Sequence, residues 1–350
     1  MRIAVDVMGA DHGCGVIVDG TRMALEANRR ITEMILVGDE GEISRHCQKS
    51  GFNDSRVRIL HASQVLTMED KPIDALRKKK DCSVSRAIEQ LKSGDADAVV
   101  SPGNTGGILS AGTIRLRTLP GISRAAIATV IPEPENEFVL LDAGANTECK
   151  GVHLAEFGVM GSIYAQKILG KSKPRVGVLS NGTEENKGTE LTREATRILS
   201  RLDLNFIGNV EGHDLFKNRV DVVVTDGFVG NIVLKTCESM AKGLFAWLRA
   251  ELTANLQRKF GALLAKGAFK SLKRRLDSEN YGGAPLLGLN GIVMKAHASA
   301  SAVAIMNAVR TATEALEQNM NSVITKEMEK AADILEEVRK PQSQSESDSK

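Results

Sequence analysis

Aromatic side chains are scarce: nine Phe, two Tyr and one Trp (Trp247) in 350 residues. The core must be built from Gly, Ala, Val, Ile and Leu, small units that suit helices packed close against a sheet. Cysteines are few and unpatterned. Cys14, Cys47, Cys82, Cys149 and Cys237 show no CxxC spacing, which speaks against a disulfide framework or structural zinc and for reduced thiols in a cytosol. No apolar run approaches the ~18 to 20 residues of a spanning helix. Neither sign of charge dominates: 46 Lys and Arg against 44 Asp and Glu leave +2, so no global basic field points to nucleic acid. The start, MRIAVDVMGAD, reads straight into a strand rather than as a signal peptide. There is no GxSxG, P-loop or GxGxxG, and no His/Asp/Glu cluster at metal spacing. A covalent acyl-enzyme, a nucleotide fingerprint and a metal centre are all unindicated, and no cofactor is expected.

What the chain does have is the stretch Asp97–Gly112, DAVVSPGNTGGILSAG. Ala98 to Val100 predicts a buried strand, SPGNTGG a break, and Ile108 to Ile114 a small-residue helix. A strand, a glycine-rich turn and a helix start is a geometry that binds anions, because the first helical N–H groups point outward unpaired. Asn104 and Thr105 can cap that helix or donate to a ligand, while Gly106 and Gly107 let the backbone come close. A tightly packed connection with no ligand fits the same residues as well.

Apolar runs followed by amphipathic stretches recur from Ile3 to Val224, which predicts a largely parallel sheet covered by helices on both faces. Ligands in such sheets sit off the carboxyl ends of the strands. Five polar, glycine-containing loops are expected there, at one edge: DVMGADHG, SPGNTGG, LDAGANTECKG, SNGTEENKG and TDGFVGN. Beyond Val224 the pattern predicts one long helix over Asp226 to Ala250. Leu252 to Leu276 then carries seven basic residues and no acidic one, as two short amphipathic helices split near Gly267. This pair fits an anionic leaflet, an acidic protein, or simply its own domain or a dimer partner. Long helices over Ser299 to Leu316 and on to Val338 follow, and the tail Lys340 to Lys350, KPQSQSESDSK, is expected to be disordered.

Cations and amides on neighbouring loops would complete an anion site. Lys187, in NGTEENKG, falls at the mouth of a helix, where a lysine can pair with phosphate as a point charge. Asp226 and Asn231 lie in another strand-to-helix turn, with Lys235 one turn on; Asp142 and Asn146 repeat the theme in DAGAN. His297 ends an apolar segment before a helix and is a candidate general acid or ligand, or a structural histidine. The run Arg77-Lys78-Lys79-Lys80 is a further cation source, or a solvated face.

Read together, DVMGAD, ALRKKKDCSV, SPGNTGG, LDAGAN, FGVMGSIYA, VGVLSNGTEENKG, NFIGNVEGHDLF, DVVVTDGFVGNIVLKT and YGGAPLLGLNGIVMKAHASAS run in order from residue 1 to about residue 310. This set resembles the phosphate acyltransferases of bacterial phospholipid synthesis, the acyl-ACP:phosphate transacylases of the PlsX family. Small-residue departures occur at Ala10, Pro102, Ala298 and Ala300, where the family more often has Gly, Ala, Gly and Ser.

The resemblance implies a three-layer α/β/α sandwich with a mostly parallel sheet, like the isocitrate/isopropylmalate dehydrogenase and phosphotransacetylase group. One domain over residues 1–339 would carry the helical hairpin at about 252–276, and would form a homodimer. The reaction implied is acyl-ACP plus inorganic phosphate giving acyl phosphate and ACP. The product would feed a membrane glycerol-3-phosphate acyltransferase, which puts the protein in the cytoplasm, peripheral on the inner face of the membrane. Phosphate would bind at Asn104, Thr105, Gly106 and Gly107. Lys187 and Asn231 would offset charge, and His297 would protonate the thiolate or bind the oxyanion. Asp226, Asp11, Asp142, Asn146 and Asn181 would orient these groups. Arg258, Lys259, Leu263, Leu264, Lys266, Lys270, Lys273 and Arg274 would meet ACP or an anionic membrane. The alternatives are a short-chain phosphotransacetylase using acyl-CoA, or a non-catalytic peripheral membrane scaffold.

Overall fold

The computed structural model describes residues 1–276 and 282–339; the polar tail lies outside the described residues. The strands are β1 (Arg2–Asp6), β2 (Glu33–Gly38), β3 (Val57–His61), β4 (Ala98–Ser101), β5 (Ala126–Pro132), β6 (Glu137–Leu141), β7 (Val176–Leu179), β8 (Phe206–Val210), β9 (Val222–Val224), β10 (Ala284–Leu287) and β11 (Ile292–Lys295). They pair into one sheet in the order β3-β2-β1-β4-β11-β10-β5-β6-β9-β7-β8. Alternate side chains feed two cores. Ile3, Val5, Met34 and Leu36 enter one, Ala4, Ile35 and Val37 the other, so each apolar run is buried on both sides.

The helices are α1 (Cys14–Ala27), α2 (Glu40–Ser50), α3 (Pro72–Lys78), α4 (Ser83–Ser93), α5 (Thr105–Leu116), α6 (Gly151–Lys167), α7 (Glu190–Leu199), α8 (Gly227–Leu252), α9 (Leu256–Leu264), α10 (Lys266–Leu276), α11 (Ala302–Glu317) and α12 (Met320–Arg339). α1, α6, α7, α11 and α12 cover the first core, while α3, α4 and α5 cover the second, giving the three layers. α6 is buried from Gly151 to Ala165, with Gly158 and Gly161 packed against Leu199 and Val222.

The loops do not leave one edge of the sheet. β1, β2, β3, β4 and β11 run parallel, but β5 and β6 form an antiparallel hairpin whose turn is closed by Glu133 N–H donating to Asn136 at 2.9 Å. β6, β9, β7 and β8 are mutually parallel and therefore run the opposite way. β10, antiparallel to both β11 and β5, closes the sheet between the halves. The hairpin expected at 252–276 is present as α9 and α10, with its break at Ala265.

Candidate functional site

Two groups of loops result. The first leaves β1, β4 and β11. Ser101 ends β4, and Asn104 caps α5, its Oδ1 accepting Gly107 N–H at 2.9 Å. Its carboxamide donates to the carbonyls of Thr67 and Met68, fastening the 65–82 loop beside the helix start. Asn104 thus acts chiefly as a cap and clamp, a role worth about 1 kcal/mol. The N–H groups of Thr105 and Gly106 meet no acceptor among the described residues and are the free donors of the turn. Side chains at 106 or 107 would collide with Pro72 and Leu66, so glycine is required here for close approach. Asp11 donates its N–H to Ala298 at 2.9 Å, which brings DVMGADHG against the His297 loop. Within the basic run, Lys79 is consumed structurally: it pairs with Asp70 at 2.5 Å and bonds the Val65 carbonyl.

The second group leaves β6, β9 and β7, which pair Leu141 with Val224 and Val178 with Val224. Asp142, fully buried, accepts N–H groups from Ile127, Gly144, Ala145 and Asn146. Asp226 caps α8, accepting from Phe228 at 2.9 Å and Val229 at 3.0 Å. Asn231, one turn into α8, stands against Gly144. Asn181 accepts Gly188 N–H at 2.9 Å and shapes the loop that carries Lys187. Lys187 is exposed and its ammonium meets no partner among the described residues.

α8 joins the two groups. It starts in the second, and Lys235 lies near enough to His297 and Lys295 to depress the protonation of both. Burial first, then those lysines, hold the His297 imidazolium below its usual range. The His297 Nδ1 accepts the Ser299 N–H at 3.3 Å, with the Ser299 hydroxyl 2.8 Å away, so the proton sits on Nε2. Four thiols are held in the protonated, unreactive form: burial pushes Cys149 up to about 12 and raises Cys14, Cys47 and Cys237.

Among the described residues one trio of potential metal ligands does come together, Glu211, His213 and Asp214, against the sequence expectation of none. Arg219 already occupies Asp214 at 2.8 Å, so the cluster reads as an ion-pair network. Of the contact residues on the hairpin, Lys259, Leu263, Leu264, Lys266, Lys270 and Arg274 are exposed. Arg258 is exposed too, but pairs with Glu251 of α8. The side chain of Lys273 lies outside the described residues. Sequence reasoning passed over Lys295 and Asp6, buried beneath the SPGNTGG turn. The available signal was a lysine inside the apolar run IVMKA.

The chain matches the family described as "Fatty acid synthesis protein" over residues 1–323. It is 44% identical over 342 residues to the phosphate acyltransferase of Akkermansia muciniphila, covering 96% of this chain and 98% of that one. Identity to the phosphate acyltransferase of Syntrophotalea carbinolica is 46% over 319 residues, 91% of each chain. This chain belongs to the phosphate acyltransferase family. It is therefore an enzyme, an acyltransferase working with phosphate. Among solved structures it is similar to a phosphotransacetylase from Streptococcus pyogenes, with TM-score 0.63 and 21% identity over 90% of this chain and 94% of that one. EutD phosphotransacetylase from Staphylococcus aureus follows at TM-score 0.56 and 17% identity, with the same coverage. At those identities the likeness speaks for the α/β sandwich alone. No helix among the described residues is long and apolar enough to cross a membrane.

Proposed function

We propose that the protein transfers the acyl group of a long-chain acyl-ACP to inorganic phosphate. A phosphate oxygen attacks the thioester carbonyl directly, the tetrahedral intermediate collapses, and the carbon–sulfur bond breaks to leave acyl phosphate and the ACP thiol. The observation that carries this reading is the pair of unpartnered N–H groups of Thr105 and Gly106 at the start of α5. Phosphate is nucleophilic enough for a thioester, so the protein need only position it and offset charge. We assign the offset of that charge to Lys187 and Asn231 on the family resemblance; both stand in the second group of loops, at the other edge of the sheet. His297, neutral and protonated on Nε2, donates to the oxyanion or to the departing sulfur. Asp11, Asp142, Asn146, Asn181 and Asp226 hold the loops. The raised thiol pKa values support a mechanism without an acyl-cysteine.

The surface supports the partners in this reading. α8 buries only Gly227 and Gly230 and exposes Ile232, Met240, Leu244 and Trp247 along one face, a stripe that a second copy of the chain would cover. On α9, Leu256, Phe260, Leu263 and Leu264 stay exposed beside basic residues, suited to acidic ACP or an anionic leaflet on the cytoplasmic side. The product would then pass to a membrane glycerol-3-phosphate acyltransferase. The deciding experiment mixes purified protein with phosphate and either long-chain acyl-ACP or acetyl-CoA and measures acyl phosphate. Preference for acetyl-CoA would replace this reading by a short-chain phosphotransacetylase, and no product with either donor would overturn it. The contact between Ser299 and His297 favours one second reading, an acyl-serine; intact mass during turnover would reveal its adduct.

A further inference from the structure

We propose that Lys295 is a positioning residue for phosphate: its buried ammonium, reaching from β11, clasps the Pro102 carbonyl and holds the SPGNTGG turn so that the Thr105 and Gly106 amides face the anion. This rests on the reading of that turn as the phosphate site.

Lys295 lies opposite Ser101 in the middle of the sheet, between β4 and β10. Only 9% of it is exposed. An ammonium in such a place costs several kcal/mol unless its protons find acceptors, and an apolar side chain of like size would fill the space without that cost. The acceptors it has found are main-chain ones: the Pro102 carbonyl at 3.1 Å and the Ala296 carbonyl. β4 has ended at Ser101, and α5 first uses a main-chain carbonyl of this segment at Asn104, which accepts from Ile108. Lys295 therefore bonds the turn where neither sheet nor helix does. Asp6 grips the same turn from β1: its carboxylate accepts the Ser101 hydroxyl at 2.6 Å, and that oxygen accepts Gly103 N–H at 3.1 Å. The packing is close enough that a Cβ on Gly103 would stand 3.2 Å from both Asp6 Oδ2 and Ser101 Oγ. The turn is thus held from behind by two strands, with its amides left free in front.

The charges facing Lys295 are Asp6 on β1, Asp11 in the loop after it, Lys235 on α8, and His297 beyond its own strand. Burial brings the ammonium down to about 8 against the pull of the two carboxylates, with Lys235 lowering it further. Burial also pushes the Asp6 carboxyl up, opposed by its bonds from Ser101, Ser83 and Met8. Between pH 8 and the ordinary 10.5, Lys295 is neutral in the fold and charged in the unfolded chain. The unfolded state binds more protons there, so this group's contribution to stability rises with pH while the grip on Pro102 weakens. Loosening of the site and loosening of the fold have opposite signs.

The test measures kcat and the phosphate KM at saturating acyl donor, from neutral pH to about 9.5, for wild type, Lys295→Met and Thr105→Pro. Phosphate is already the dianion over the upper part of that range. Proline is tolerated at the first helical position and suits Asn104 before it (ψ 124), so Thr105→Pro removes the amide donor and the hydroxyl of this residue while keeping the helix start. Expected is a wild-type phosphate KM that rises about ten-fold across the range with a smaller change in kcat. In Lys295→Met it should be about ten-fold high at neutral pH and flat. A Lys295→Met KM within twofold of wild type, or a flat wild-type profile, overturns the proposal. The wild-type profile decides alone if the variant does not fold. An unchanged KM in Thr105→Pro would instead show that phosphate binds elsewhere, and would remove the reading beneath it.

Discussion

The carboxylate of Asp142 accepts the Asn146 amide at 2.7 Å and the Asn146 carboxamide at 2.9 Å. With Ile127, Gly144 and Ala145 also donating to it, one buried side chain organises the whole DAGAN turn against which α8 begins. Replacing it by Ala strands several donors at once. We expect Asp142→Ala to lose on the order of 3 kcal/mol in urea unfolding and to lower kcat even where it remains folded. Full stability in that variant would contradict the role.

Lys187 has no ion pair to lose among the described residues, so its removal should cost activity and not stability. Lys187→Ala is expected to raise the phosphate KM or lower kcat by tens-fold, about 2 kcal/mol, with an unchanged melting temperature. Unaltered phosphate kinetics would exclude it from the site.

Acid should destabilise the fold through His153. Its Nδ1 accepts Lys150 N–H at 3.1 Å, and burial first, then Arg124, Lys150 and Arg339, hold its pKa down to about 4 from 6.5. The depressed value means that the unfolded chain binds the extra proton between those limits. Stability is therefore kept above 6.5 and falls as pH falls through 4, by about 2 to 3 kcal/mol. Urea midpoints of His153→Gln should show a shallower slope over that window.

Putting charge on the unpartnered surfaces separates their occupants. A Leu263→Glu, Leu264→Glu double variant should lose co-sedimentation with anionic vesicles while keeping its size in solution. Leu244→Glu with Trp247→Glu should halve the mass by sedimentation velocity. Equal vesicle binding, or an unchanged mass, would defeat the respective assignment.

Much of this was legible from residue order. Short apolar runs gave the positions of β2, β4, β6 and β7 nearly to the residue because each is buried on both faces. Strand direction was not legible in the same way. Reversal depends on the PEPEN turn between β5 and β6, and a turn of that length between two apolar runs is itself a hairpin signal that outweighs the helix-strand rhythm around it. β10 and β11 hid for another reason: Pro285 and the flanking glycines break the run. The candidate residues were visible individually because they sit in glycine-rich turns. Lys295 and Asp6 were masked by the apolar strands that bury them.

The first turn of α8 carries a consequence for everything attached to it. This rod of 26 residues, roughly 39 Å long, is seated through Gly227 and Gly230 alone among its buried positions. A methyl at 230 would run into the Asp142 carbonyl oxygen, and one at 227 into the Asn146 main chain. The smallest possible enlargement at either position would tilt the shaft, swinging Asn231 a little and the distant basic tip a great deal. Two hydrogen atoms set the aim of the longest lever in the molecule.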